Sequence, residues 1–284
     1  MTTLKYETFI IKRAGMTRDL PAGVDESLQW VANTATLIYG ENDAVLVDTF
    51  TTVEHNKQLL DWIVASGKNL THIYITHPHG DHFFGIDIIQ SKFPNAKAIS
   101  TAESVKGMPH QISDFARESF WERLFPGQIP DTLVAAEALE GNEFELEGHK
   151  LVVVDTGFTD THSTTALHVP SIGLVIAGDA TYGHVHPLLG ESSPETRQEW
   201  LKALDIIEAL NPTHVVSGHQ QPDEPDSPDN IQKTREYIKD FNTFADAAET
   251  PLDLYNEMLK LHGDRVNPGS LWGSAKAAKG IKSY

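Results

Sequence analysis

Apolar and polar positions alternate in short bursts over the first hundred residues. Residues 5–12 and 35–50 read as strands, because β-branched and aromatic residues recur there at period two or in brief apolar runs. Ala35-Thr36-Leu37-Ile38-Tyr39-Gly40 and Ala44-Val45-Leu46-Val47-Asp48 flank Glu41-Asn42-Asp43, a short hairpin connection. Thr51 or Thr52 then caps a helix in which Leu59, Leu60, Ile63 and Val64 follow helical spacing and Gly67 is the stop. Ile73-Tyr74-Ile75-Thr76 has the character of a buried strand, residues 84–92 of a helix, and residues 96–100 of a short strand. The pattern is a strand-rich start that turns into β-α-β units.

Residues 101–132 interrupt it. Phe115, Phe120, Trp121 and Phe125 recur near helical spacing in residues 113–125, and Pro126-Gly127 ends the run. Such an aromatic stripe reads as core packing or as a helical cover over a cleft. Strands return at Glu143–Leu146, 150–154, 165–169 and 172–177. Ser193-Pro194 forms an N-cap and first-turn pair ahead of a helix carrying Trp200, Leu201, Leu204, Ile207 and Leu210 on one face. His214-Val215-Val216-Ser217 is the last strand, and residues 229–247 and 251–262 are helical. Residues 221–229, rich in proline and acidic residues, read as a linker. Residues 264–284 lack periodicity; Lys276, Lys279 and Lys282 there suggest a solvated tail, with Leu271 and Trp272 free to dock on a neighbour.

The chain has 284 residues, 40% of them apolar, which suits a single domain over 1–284 with a helical C-terminal extension from residue 229. It contains no cysteine, so neither a disulfide framework nor a thiolate ligand is available. The first residues hold no apolar h-region and no run reaches the length of a membrane span, so a cytoplasmic protein without a membrane partner is expected. Net charge is −18 with no basic stripe, which argues against nucleic acid as a partner. A small-molecule substrate is the expected partner, and a homo-oligomer is left open.

The chemistry concentrates in His77-Pro78-His79-Gly80-Asp81-His82, an H-x-H-x-D-H run directly after the Ile73–Thr76 strand. Neutral imidazoles and a carboxylate suit zinc, iron or manganese better than calcium or magnesium. His77 and His79 can point one way while Gly80 turns Asp81 and His82 elsewhere, so one hexapeptide can serve two metal ions. Further candidates follow at strand ends: His162, Asp179 and His219.

These elements, in this order, resemble the metallo-β-lactamase fold superfamily, with the resemblance spanning roughly residues 33 to 220. The resemblance implies an α/β fold, a four-layer αβ/βα sandwich with metals at one edge. It implies two Zn2+, with Fe or Mn as alternatives. His77, His79 and His162 would hold the first metal, and Asp81, His82 and His219 the second. Asp179 would bridge, and Asp81 and Asp179 would act in catalysis. Asp48 would be the acceptor that orients a ligand histidine, or else a turn cap. Two loops depart from the family pattern: Thr161 and Ser163-Thr164-Thr165 surround His162, and Ser217-Gly218 precedes His219.

The function implied is a dinuclear zinc hydrolase opening a C–N or C–O bond in a small lactam or lactone, with a metal-bridging hydroxide as nucleophile. A thioester hydrolase of the same fold or a mononuclear iron dioxygenase are the alternatives. Diiron members replace a ligand histidine by a carboxylate, and the complete histidine set argues against that branch. For substrate contact the candidates are Trp30, Trp121, Tyr182 and His184, with His186 nearby and Phe50 and Phe83 as further aromatic walls.

Overall fold

The computed structural model describes residues 3–17 and 19–281. Its first sheet places β1 (Lys5–Ala14), β2 (Trp30–Tyr39), β3 (Asp43–Val47), β4 (Asn69–Tyr74), β5 (Lys97–Ser100) and β6 (Glu137–Ala138) side by side in chain order. β1, β2 and β3 pair antiparallel. From β3 to β6 the pairs are parallel, so each needs a crossover. The helices Val53–Ala65, Ile86–Lys92 and Ala102–Gln111 supply them.

The second sheet contains β7 (Glu143–Leu146), β8 (His149–Gly157), β9 (Thr164–Val169) and β10 (Leu174–Ile176), and a short β11 (Tyr182–Gly183) follows outside it. β12 (His214–Val216) closes it beside β10 in the order β12-β10-β9-β8-β7, and β13 (His219–Gln220) pairs with β11 in a separate ribbon. Helices Pro194–Ala209, Asp229–Ala247, Pro251–His262 and Pro268–Ala278 cover its outer side.

The side-chain alternation of a strand explains the layering. In β3, Ala44 and Leu46 face the helices together with Leu59 and Ile63, whereas Val45 and Val47 face the second sheet and meet Leu167, Val169 and Ile176. A third apolar cluster joins Val175 and Val215 to Trp200, Tyr237 and Leu254 of the outer helices. The result is the four-layer αβ/βα sandwich. The helices beyond residue 229 share this third cluster, so they form one of its layers.

Three expectations change. Residues 101–132 are largely helical: Ala102–Gln111 is capped by Thr101, and the aromatic segment forms a turn, a π-helical stretch at Arg117–Trp121 and another turn. The solvated tail is instead the helix Pro268–Ala278, with Leu271 fully buried and Lys276 paired to Asp19 at 3.0 Å. The apolar positions of this helix are spaced by glycine and serine, which hid the helical period. Just past it, Lys279 donates to the carbonyls of Ala245 and Ala248, and Lys282 lies outside the described residues. β2 begins at Trp30, earlier than the apolar run suggested, because Asn33, Thr34 and Thr36 are buried as polar strand residues.

The loop after β3 is fixed by Asn56, which is buried. Its Oδ1 accepts from Phe50 N at 2.9 Å, and its Nδ2 donates to the carbonyls of Phe50 and Thr52. Asn56→Ala should therefore destabilise the fold by about 2–3 kcal/mol, since buried backbone groups lose their partners. Urea unfolding measures this, and a loss under about 0.5 kcal/mol would contradict the assigned role.

Candidate metal centre and cleft

The strand ends deliver the site. The chain leaves β4 at Tyr74, and the motif residues from His77 to His82 follow as a loop and a single helical turn, Gly80–Phe83. Asp179 sits on a short turn after β10, and His219 opens β13. Glycine is required at two of these points. A Cβ on Gly80 would lie 2.5 Å from Phe84 Cζ and 2.7 Å from Trp121 Cζ2. One on Gly218 would lie 2.2 Å from Asp179 Oδ1 and 2.9 Å from the Gly178 carbonyl carbon.

Three sets of ligand atoms each lie within 4.8 Å of one another: His77, His79 and Asp160; His77, His82 and Asp179; and Asp81, His82 and His219. Asp160 Oδ2 stands 2.8 Å from His79 Nδ1 and 3.7 Å from His77 Nε2. Asp179 Oδ1 is 3.4 Å from His82 Nε2, and its Oδ2 is 3.0 Å from His219 Nε2. Asp179 therefore spans the middle of the cluster.

His162 is not part of it. Its side chain is exposed and its ring packs edge-on to Phe158 at 4.8 Å, on a shallow surface hollow with Glu103 and Glu199. Residues 159–163 are bent: Thr159 N donates to the Thr161 carbonyl at 3.0 Å, and Ser163 is left-handed with φ 61°. The bend turns Asp160 inward, where Thr159 Oγ1 donates to its Oδ1 at 2.9 Å, and turns His162 outward. A carboxylate thus stands where a histidine was expected, and the sequence argument from a complete histidine set is corrected.

Asp48 organises the imidazoles. It is buried and left-handed at φ 61°. Its Oδ1 accepts from Thr76 N at 2.9 Å, and its Oδ2 accepts from Thr76 Oγ1 at 2.8 Å and faces His82 Nδ1 at 3.0 Å. With its hydroxyl proton given to Asp48, Thr76 Oγ1 can accept from His77 Nδ1, 3.0 Å away. His219 Nδ1 donates to the Ala32 carbonyl at 2.6 Å. Each of these rings therefore spends Nδ1 on the scaffold and turns Nε2 to the cluster, which is how a metal-binding histidine is oriented.

The donor set fits a metal. His77 Nε2, His82 Nε2 and Asp179 Oδ1 are buried with no hydrogen-bond partner, a costly arrangement unless a cation satisfies them. The electrostatics agree. Burial, then repulsion from His82, pushes His77 down to about 4. Burial opposes charge on His82 too, but Asp179, Asp48 and Asp81 lift it to about 10. Burial likewise disfavours charge on His79, yet Asp160 and Glu191 hold it well above the usual imidazole range. Asp81 and Asp179 are held well below the carboxylate range by neighbouring histidines, Arg13 adding to this at Asp81, although burial alone would raise both. The carboxylates thus raise the proton affinity of His79 and His82, and a metal bound there would compete with those protons.

The cluster floors a cleft of about 850 Å³. Phe115, Phe120, Trp121 and Leu124 form one wall, and Gly269, Ser270 and Gly273 of the last helix form the other. The aromatic segment serves both roles considered for it, since Trp121 and Phe125 are also buried in the core. Tyr182 lines the cleft, stacks on His219 and donates to Asp179 Oδ2 at 2.7 Å. His186 lines it as well, with Nδ1 2.9 Å from the Tyr237 hydroxyl.

Other substrate candidates fall elsewhere. Trp30 donates to the Ser27 carbonyl and carries Lys12 over its ring, away from the cleft. His184 turns to Asp264 at 3.2 Å. Phe50 and Phe83 are fully buried under the first sheet. Arg13 and Asn33, by contrast, gave no sequence signal. Arg13 Nη2 and Asn33 Nδ2 each donate to Asp81 Oδ2 at 3.1 Å, and Arg13 Nε donates to Asn33 Oδ1 at 2.6 Å.

Fold and site together define an αβ/βα protein with a histidine–carboxylate cluster suited to metal. A family model for the metallo-beta-lactamase superfamily matches residues 28–219, and the chain belongs to that family. It is 35% identical over 196 residues to "Uncharacterized protein YobT" of Bacillus subtilis (strain 168), covering 64% of this chain and 81% of that one. Among solved structures it is similar to the metallo-beta-lactamase family protein TTHA1429 from Thermus thermophilus, with a TM-score of 0.63, 17% identity and coverage of 95% of this chain and 91% of that one. The metallo-beta-lactamase FIM-1 from Pseudomonas aeruginosa, solved in a mono-zinc form, gives a TM-score of 0.56 at 14% identity, covering 84% of this chain and 92% of that one. At these identities the structural likeness speaks for the fold.

Asp160→Ala should lower metal retained after dialysis, and His162→Ala should leave it at the parent level. Elemental analysis of both variants decides, and metal loss in His162→Ala with none in Asp160→Ala would reverse the assignment. Asp48→Ala should weaken metal binding by about 10–100-fold in a chelator competition, because the ring of His82 loses its anchor.

Proposed function

We propose that the chain is a metal-dependent hydrolase that opens a C–N or C–O bond in a small lactam or lactone, with two zinc ions as cofactor. The observation that carries this reading is a buried cluster of histidine and carboxylate groups that could hold metal, four of whose residues, His79, Asp81, Asp179 and His219, line an aromatic-walled cleft. His77, His79 and Asp160 would hold one ion, and Asp81, His82 and His219 the other, with Asp179 reaching both. Bound there, the metals would polarise a carbonyl and render water nucleophilic near neutral pH. The chain's own groups do the positioning. Tyr182 fixes Asp179, and the Arg13–Asn33 pair occupies Asp81 Oδ2, leaving Oδ1 for the cluster. Phe120 and Trp121 keep one side of the reacting carbonyl dry. A thioester suits the same cleft chemically.

Asp160 favours a second reading. Two histidines and one carboxylate are a set that also holds iron, which would direct the centre to oxygen or redox chemistry. Metal content separates the two. Protein purified without added metal should carry zinc and hydrolyse members of a lactam, lactone and thioester panel. Asp179→Asn should reduce turnover by about three orders of magnitude or more while the fold persists. Iron in place of zinc, or near-parental turnover in Asp179→Asn, would sink the hydrolase reading.

A further inference from the structure

Outside the His/Asp cluster, four buried side-chain nitrogens among the described residues lack a partner, and three of them belong to residues that line the same cleft: Arg13 Nη1, Trp121 Nε1 and His186 Nε2. The first two are set beside the motif. Arg13 is 7% exposed and Trp121 4%. Their placement follows from consecutive motif residues: the Trp121 ring lies against Gly80, and Arg13 grips Asp81. Both also rest on the same ring, Phe125, with the guanidinium 5.5 Å from its centroid and the indole stacked at 6.5 Å.

The guanidinium is a fork of which two arms are spent. Nε serves Asn33 and Nη2 serves Asp81, so the rigid geometry of the group leaves Nη1 aimed away from both. A buried donor of full positive charge with nothing to donate to is expensive. The indole N–H repeats the deficit. Neither is needed to hold the ligands already described.

We propose that Arg13 Nη1 and Trp121 Nε1 form a carboxylate subsite, so that the substrate is a small anionic acyl compound whose apolar arm lies along Phe115, Phe120 and Leu124. This rests on the hydrolase reading of the same cleft. The carboxylate accepts one hydrogen bond from each donor, and the aromatic wall takes the arm. The positive arm of Arg13 selects an anion over a neutral acceptor, since hydrogen bonds to charged groups are roughly twice as strong as neutral ones. The substrate's charge thereby fixes which end lies next to the cluster.

The test is calorimetric titration of the metal-loaded full chain with phenylbutyrate and with its neutral amide. Trp121→Phe keeps an aromatic side chain at the wall and removes the N–H together with the part of the ring that meets Gly80. It should weaken phenylbutyrate about tenfold more than it weakens the amide. Arg13→Lys keeps a cation beside Asp81 but loses the second arm, and should weaken phenylbutyrate to a similar degree at parental metal content. Unchanged phenylbutyrate affinity in folded Trp121→Phe, or equal loss for acid and amide, overturns the proposal and leaves the donors to water. Binding needs no turnover. Carboxylate selectivity lost on Trp121→Phe in a protein that hydrolyses nothing would thus sink the hydrolase reading and keep the subsite.

Discussion

The carboxylate of Asp48 is the interaction on which the centre depends. It closes the end of β3, accepts the backbone and hydroxyl of Thr76 just past β4, and anchors His82 in the motif turn. Three segments that would otherwise end independently are tied to one buried anion. Because Thr76 passes the constraint on to His77, the ring nitrogens of both motif histidines are set from the same point. The left-handed backbone of Asp48 is what brings its side chain back over the strand ends, a conformation that aspartate adopts more readily than most residues.

Much of this was legible in the sequence because it is local. β3, the helix after Thr52 and the capped helix at Pro194 follow from period and caps over a few residues. The H-x-H-x-D-H run declared its chemistry by density alone. What stayed hidden depends on distant partners. Arg13 meets Asp81 only because β1 lies beside β2 with Ile11 opposite Asn33, which no short window reveals. The last helix hides because Gly269, Gly273 and Ser274 are buried where leucines would signal a period.

The exchange of His162 for Asp160 shows the limit most sharply. Both residues lie within three positions, and both could ligate a metal by type. In an extended strand they would share a face, and the histidine would be preferred on chemistry. The backbone decides instead. Residues 159–163 form bends, Ser163 turns left-handed, and its carbonyl is held by Ser104 of the first half of the chain. That tie comes from the helix Ala102–Gln111, which the sequence pattern did not disclose.

The carboxylate has an electrostatic consequence for the whole cleft. Asp81, Asp160 and Asp179 converge on the same space, and Arg13 offsets part of their charge. Together with Asp48 and Glu191 they raise the affinity of His79 and His82 for protons. An imidazole in place of Asp160 would leave less negative charge to be neutralised and would hold such protons less firmly. A divalent cation taken up by this cluster would therefore release protons from it.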